Sequence, residues 1–292
     1  MTNPDHIYAL PDNVNGIYAM PHAILSRLKV IDVVPFGNTG SHTGFYALRL
    51  TPPAWKSWKS GQFVMLRPAR EHSEILWGRP FSICQATDRH LVIFFQERGR
   101  ATSLMSGLLS GDEVDVWGPL GNALAMEART PTLLLAGGIG IAPFVGYVHA
   151  HPTPWDVTME FGHRLPLDCY PFDSINEKAM ANTHLEKNDH DRQVFLELVE
   201  QKMQAIAAAD GLTLACGPTP FLEAVQIFSQ RHGARTQLCL ETRMACGIGA
   251  CLGCVVKALP SSDQPSATAT EPKNVQTCSC GPNFWADSVS LR

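Results

Sequence analysis

Short runs in which apolar residues alternate with polar ones, or stand in small blocks, fill the chain up to about Met126: LKVIDVV, GFYALRL, GQFVMLR, FSICQA, HLVIFF and DEVDVW. Turn-forming residues separate them. A succession of short period-two segments predicts strands, and strands with no intervening helices predict an antiparallel barrel or sandwich. Thr51 to Gly61, with Pro52 and Pro53, reads as a connecting loop. Residues 101–109 (ATSLMSGLL) carry helical spacing and predict one short helix inside this region.

Beyond Arg129 the pattern changes. TLLLAGG, APFVGYVHA, DVTMEFG, a helix from about Gln193 to Ala209, LTLACG and PFLEAVQIFSQRHG alternate strand with helix. Such alternation predicts a parallel sheet covered by helices. The polar stretch from His163 to Asp191 is expected to leave the core as an irregular excursion. The last part is a cysteine-bearing lobe, with Pro260 to Lys273 (PSSDQPSATATEPK) a flexible loop by composition. The expectation is a multidomain α+β chain divided at 23–127, 129–236 and 237–292.

Composition narrows the class. With 292 residues, 45% of them hydrophobic and 17% charged, the chain can bury enough surface for two domains and an appendage. A net charge of −4, with no interleaving of Lys/Arg and aromatics, leaves no footprint for nucleic acid. No Lys or Arg precedes Arg27, and no apolar run reaches membrane-spanning length, so neither a secretory signal nor a membrane helix is expected. Nine cysteines, odd in number and clustered, suit a reducing compartment, and the expected location is cytoplasmic.

The clustered cysteines carry the sharpest signal. Cys246, Cys251 and Cys254 stand in CGIGACLGC, and Cys278 and Cys280 follow after the Pro/Ser/Thr-rich stretch. The order C-x4-C-x2-C...C is the spacing of plant-type [2Fe-2S] sites. Zinc sites more often show paired C-x2-C hooks, so a zinc knot or buried structural thiols are the alternatives. Gly247, Gly249 and Gly253 let backbone turn and approach closely. Cys278 and Cys280 compete for the fourth position, and on an extended segment they would point to opposite sides.

Other motifs are weaker alone. In Arg79-Pro80-Phe81-Ser82, Pro80 favours an extended Arg79 whose guanidinium can reach a phosphate, and Ser82 offers a hydroxyl to a flavin ring nitrogen. Gly99 to Thr102 (GRAT) opens the short helix, where amides suit a pyrophosphate, unless Thr102 is an ordinary N-cap. Gly118 to Gly121 (GPLG) reads as a tight turn. LLLAGGIGIAP places Gly138-x-Gly140-x-x-Pro143 between strand and helix, a relative of the dinucleotide fingerprint. Glu160 lies where a ribose-binding acid can be sought, although a solvated strand carboxylate is the simpler reading. Cys216-Gly217-Pro218 follows another strand, at the end where α/β sheets bind ligands. Cys84, Cys169 and Cys239 read as small buried or surface residues, and the eleven histidines show no metal-binding pattern.

The order RPFS, GRAT, GPLG, GGIGIAP, CGP and then the cysteines resembles the ferredoxin-reductase-like flavoproteins. LETRMACGIGACLGCVV, from Leu240 to Val256, is most similar to the cluster loop of the dihydroorotate dehydrogenase B electron-transfer subunits. The resemblance covers about residues 23–290. It implies a β-barrel FAD domain, a nicotinamide-nucleotide domain using Gly138, Gly140, Cys216 and Gly217, and a [2Fe-2S] lobe. It implies FAD lined by Arg79, Pro80, Phe81, Ser82, Phe94, Phe95, Gln96, Ala101 and Thr102. It also selects Cys278 as fourth cluster ligand, three residues before Gly281-Pro282. The implied partner is an FMN-containing catalytic subunit oxidising dihydroorotate in pyrimidine biosynthesis, with NADH as donor. The chain departs from this pattern in Phe95-Gln96, in Ala101, and in LEKNDHDRQVF, which replaces a glycine-rich segment near the nucleotide. Acidic groups in that segment favour NADH over NADPH, since carboxylates repel the extra phosphate.

Overall fold

The computed structural model describes residues 23–37, 44–69, 75–259 and 274–291. The Pro260–Lys273 stretch lies outside them. Seven strands build the first sheet: β1 (Ile24–Pro35), β2 (Phe45–Leu50), β3 (Phe63–Pro68), β4 (Arg79–Ser82), β5 (Gln85–Ala86), β6 (Leu91–Gln96) and β7 (Glu113–Leu120). The helix α1 (Arg100–Ser106) follows β6. All pairings are antiparallel, in the order β4-β3-β7-β1-β2-β6-β5. The sheet curls round a core of Leu48, Leu50, Val64, Leu66, Ile93, Phe95, Met105 and Val116, all almost fully buried. It does not close. β4 and β6 face each other across an open seam. GPLG is mostly strand rather than turn: Gly118, Pro119 and Leu120 belong to β7, and only Gly121, at φ +71°, turns the chain.

The second region supplies β8 (Thr132–Gly137), α2 (Ala142–Ala150), β9 (Val157–His163), α3 (Phe172–Asn176), β10 (Met180–Leu185), α4 (Asp189–Ala208), β11 (Leu212–Cys216), α5 (Thr219–His232) and β12 (Arg235–Cys239). The third supplies β13 (Val255–Ala258), β14 (Asn274–Gln276), α6 (Thr277–Cys280), β15 (Asn283–Trp285) and β16 (Val289–Ser290). The six-stranded sheet has the order β10-β9-β8-β11-β12-β15, parallel from β10 to β12. Its last strand, β15, is antiparallel and comes from the cysteine-bearing lobe. β8 is buried along its whole length, as expected of a strand covered on both faces.

The expected excursion at His163 to Asp191 is in fact structured. It contains α3 and the edge strand β10, which pairs with β9 over six registers. Only one side of an edge strand is paired and its faces are half-wet, so MANTHL carries no hydrophobic pattern to announce it. Its anchor is Glu160 on β9, which is 1% exposed and therefore not a solvated carboxylate. Glu160 accepts hydrogen bonds from Asn182 Nδ2 at 3.1 Å and pairs with His184 Nε2 at 2.7 Å, both on β10, and with Lys202 Nζ of α4 at 3.2 Å. Burial pushes this carboxyl up, but His184, Lys202 and Asn182 together outweigh it and hold it below its ordinary range. Of the buried and surface readings left open for Cys84, Cys169 and Cys239, the structure gives the buried one for all three. Among the described residues no helix is long and apolar enough to cross a membrane.

Candidate functional site

Cys246, Cys251, Cys254 and Cys278 come together against the barrel. Cys254 and Cys278 are buried with Phe63, Met65 and Leu120, while Cys251 is exposed. The loop folds tightly because Gly247 and Gly249 take φ +74° and +81°, and a Cβ on Gly247 would stand 2.4 Å from Met65 Cγ. Backbone amides are aimed at the sulfurs. Gly249 N donates to Cys278 Sγ at 3.1 Å, Cys251 N to Cys246 Sγ at 3.4 Å and Ile248 N to Cys246 Sγ at 3.5 Å.

The thiols form two close couples, Cys246 with Cys251 and Cys254 with Cys278. Among the described residues no three His, Cys, Asp or Glu side chains converge as a single metal ion requires. A two-iron cluster takes its four cysteines in pairs, so the donor set and its amide hydrogen bonds fit that group. Hydrogen bonds from the backbone at Cys246 and Gly253 bring the Cys251 thiol down to about 7. Burial, and then the neighbouring Cys254, push Cys278 up to about 12. Metal binding displaces such protons, which ties loading of this site to proton release.

Cys278 and Cys280 do face different ways, but not because the segment is extended. Thr277–Cys280 is one turn of helix, where residues i and i+2 stand about 200° apart. Cys278 turns to the other three thiols, and Cys280 packs with the apolar group around Leu240 and Phe284. Three residues not singled out from sequence, Trp117, Asn122 and Asn283, hold the lobe in place. Trp117 Nε1 donates to Cys246 O at 2.9 Å. Asn283 Nδ2 donates to Asn122 O at 2.9 Å and Gly61 O at 3.2 Å, and Asn122 Nδ2 returns a bond to Asn283 O at 2.7 Å. The repeated Gly-Pro at 118–119 and 281–282 brackets this contact, but nothing in the pattern marks Trp117.

The barrel seam joins the two strands that the resemblance assigns to FAD. β4 carries Arg79, Pro80, Phe81 and Ser82 on one side, and β6 carries Phe94, Phe95 and Gln96 on the other. Phe81 and Phe95 meet edge to face across it, with ring centroids 6.1 Å apart. β5 pairs with β6 only at Leu91 and Val92, so the Phe94–Gln96 edge has no strand partner on the seam side. The rings of Phe94 and Phe95 are spent on packing, against Phe45 and Tyr46. What this strand offers a ligand is its backbone and the Gln96 amide. Arg79 is exposed and its Nη1 reaches Trp77 O at 2.9 Å and Gly78 O at 3.2 Å, leaving guanidinium donors for an anion. Gly99, not Thr102, is the N-cap of α1. Thr102 stands at the third helical position and accepts from Arg98 N and Gly99 N at 2.8 and 3.1 Å. Its hydroxyl is therefore occupied, and Ala101 beside it is buried.

At the C-terminal edge of the parallel sheet the two glycine turns touch. Gly138–Ile141 forms a 3-10 turn between β8 and α2, and Pro143 sits in the first turn of α2, where its missing N–H costs nothing. A Cβ on Gly140 would stand 2.2 Å from Cys216 O and 2.8 Å from Gly217 N. A Cβ on Gly217 would stand 2.9 Å from the Phe221 ring and 3.2 Å from Gly137 backbone. Phe221 stacks on Phe195 at 5.9 Å, and Phe195 on His184 at 4.9 Å, making an aromatic row beside the turns. LEKNDHDRQVF forms the end of β10 and the start of α4. The hollow there is lined by Arg164, Lys187 and Arg192 as well as Glu186 and Asp189, so its charge is not acidic.

Residues 241–290 match the family described as the iron-sulfur cluster binding domain of dihydroorotate dehydrogenase B. The electron transfer subunit of dihydroorotate dehydrogenase B (NAD(+)) from Listeria innocua is 32% identical over 84% of this chain and 93% of its own. The subunit of the same name from Caldanaerobacter subterraneus is 30% identical over 80% and 89%. Among solved structures, an NADH-dependent reduced ferredoxin-NADP oxidoreductase superposes with a TM-score of 0.70 at 19% identity, covering 90% of each chain. Ferredoxin-NADP+ reductase from Plasmodium falciparum gives 0.60 at 13% identity, over 75% of this chain and 95% of its own. These likenesses establish a ferredoxin-reductase-like fold. By its sequence the chain belongs to the family of dihydroorotate dehydrogenase B electron transfer subunits.

Proposed function

We propose that the chain exchanges electrons pairwise with a nicotinamide at the edge formed by Gly138, Gly140, Cys216 and Gly217 and singly with a partner's flavin; when dihydroorotate is oxidised they run from that flavin to NAD⁺. The carrying observation is the position of β3. Met65 of β3 packs against Gly247 of the cysteine loop and pairs with Pro80 of β4, so a single strand separates the cluster ligands from the RPFS edge. Neighbouring strands lie about 4.8 Å apart, which puts the two redox sites side by side. When bound, FAD exchanges electrons in pairs with a nicotinamide and singly with a [2Fe-2S] cluster, and that conversion is the chemistry the assembly requires.

The residues divide the work. Arg79 would neutralise the flavin's phosphates, Ser82 would donate to the ring, and the edge from Phe94 to Gln96, which lacks a strand partner on the seam side, would supply backbone hydrogen bonds. Cys246, Cys251, Cys254 and Cys278 would hold the cluster, with the Gly249, Cys251 and Ile248 amides stabilising the sulfur charge. The two touching glycine turns would seat the nucleotide's phosphates and nicotinamide. The nucleotide is the NAD⁺/NADH couple because the relatives' name specifies NAD(+); the mixed charges round Arg164 and Asp189 favour neither NADH nor NADPH. The partner would be the catalytic subunit of dihydroorotate dehydrogenase, which converts dihydroorotate to orotate.

Anaerobic co-expression with that subunit tests the reading. A complex that oxidises dihydroorotate with NAD⁺ as acceptor is the expected result. A chain that binds FAD and iron but neither associates with the subunit nor supports this reaction would redirect the proposal to a reductase for another acceptor.

A further inference from the structure

Cys216 and Cys239 end neighbouring parallel strands, β11 and β12, and stand directly opposite each other in register. In-register neighbours project to the same face of a sheet across about 4.8 Å. A disulfide accepts Cα separations of about 4.4–6.8 Å. The two thiols are near enough to act on each other electrostatically, with Cys239 buried and Cys216 half-buried. Neither belongs to the four-cysteine site. Cys216 also carries the carbonyl against which Gly140 packs, so its backbone position sets the spacing of the two glycine turns.

We propose that Cys216 and Cys239 form a reversible intramolecular disulfide, and that this bond slows electron exchange with the nicotinamide; the second half rests on the nucleotide site proposed above. The oxidant is a low-molecular-weight disulfide of the glutathione class. The Cys216 thiolate attacks it, one thiol leaves, and the Cys239 thiolate then displaces the second. Two protons and two electrons pass from the protein, and the small disulfide becomes two thiols. The Cys239 thiol and burial hold Cys216 well above its usual range, so the reaction quickens as pH rises. Drawing Cys216 toward β12 moves its carbonyl away from Gly140 and loosens the turn pair.

The sequence makes the test clean. Trypsin cleaves after Lys202, Arg231, Arg235 and Arg243, leaving Cys216 alone in 203–231 and Cys239 alone in 236–243, apart from every cluster cysteine. Holoprotein is treated with oxidised glutathione, blocked with N-ethylmaleimide, digested and mapped by mass spectrometry. The expected product joins these two peptides, disappears with dithiothreitol and is absent in Cys239→Ser. Oxidation should slow NADH-driven flavin reduction about tenfold or more, as displacement of positioning groups does. Cys239→Ser, with unchanged basal rate, should be insensitive. Two alkylated peptides, a stable glutathione adduct, or Cys216 joined to a cluster cysteine would overturn the proposal. A cross-link without slowing would overturn its second half. If NADH fails to reduce even untreated protein, the nucleotide-site assignment falls, and the cross-link alone decides whether the dithiol is a redox site.

Discussion

Gly140→Ala probes the nucleotide edge through a contact rather than a charge. The added Cβ would stand 2.2 Å from Cys216 O. Carbon and carbonyl oxygen ordinarily approach no closer than about 3.3 Å, so the two turns must part by about 1 Å. Both contacting groups are backbone at the ends of paired strands, and neither can swing aside. Overpacking of this kind costs about 1–3 kcal/mol of stability. A displacement of about 1 Å in a positioned site costs about 100-fold in rate, equivalent to about 2.7 kcal/mol in the barrier. The assay is anaerobic rapid mixing with NADH, following flavin bleaching, with FAD and iron content measured beforehand. The expected outcome is a rate about 100-fold lower at unchanged cofactor content. Gly138→Ala is the comparison. Gly138 takes φ +54° but a Cβ there meets nothing within 4 Å, so the variant strains backbone, by about 1–2 kcal/mol, without pushing on the neighbouring turn. Its reduction should slow far less. A Gly140→Ala protein reduced at the wild-type rate, or a Gly138→Ala protein equally slow, would refute the steric account.

Further outcomes follow from the other sites. Cys278→Ser should lose iron and the electron paramagnetic resonance signal of the reduced cluster, whereas Cys280→Ser should keep both; the opposite result would exchange their roles. Arg79→Ala should weaken FAD binding by about 10- to 100-fold, the worth of one charged hydrogen bond, as measured by flavin retention on dilution. Glu160→Gln should destabilise the chain by about 1.5–3 kcal/mol in denaturant titration, because Lys202 and His184 lose their anion. The folded Glu160 lies below its reference value of 4.5, so its stabilisation is complete above that value and is lost as pH falls through the lowered one. The variant should therefore show a shallower acid limb, and an unchanged limb would refute the assignment.

What could be read from the chain alone followed the residues whose pattern is local. Alternating strands, GGIGIAP before α2 and the spacing of Cys246, Cys251 and Cys254 each state their structure within a dozen residues. β10 was illegible because its burial depends on an edge pairing that leaves MANTHL half-wet. Glu160 was misjudged for a related reason. Its partners Asn182, His184 and Lys202 lie more than twenty residues away and become neighbours only when β10 and α4 close over β9. The segment at Cys278 looked extended because four residues cannot show a helical period. The seam was invisible as well, since nothing in RPFS or FFQ says that their strands will face each other unpaired.

β15 has a consequence for how the molecule can be divided. The strand that finishes the parallel sheet is lent by the cysteine lobe, and β12 pairs with it from Gln237 to Cys239. A fragment ending near residue 236 would lose β15 and part of β12, exposing the flank of β11 with its unpaired amides and carbonyls. Exposed edges of that sort recruit other strands. The reductase half is thus not a detachable cassette: excision would convert an internal seam into a sticky border, and chimeras that exchange electron outlets should be spliced so that β12 and β15 travel together.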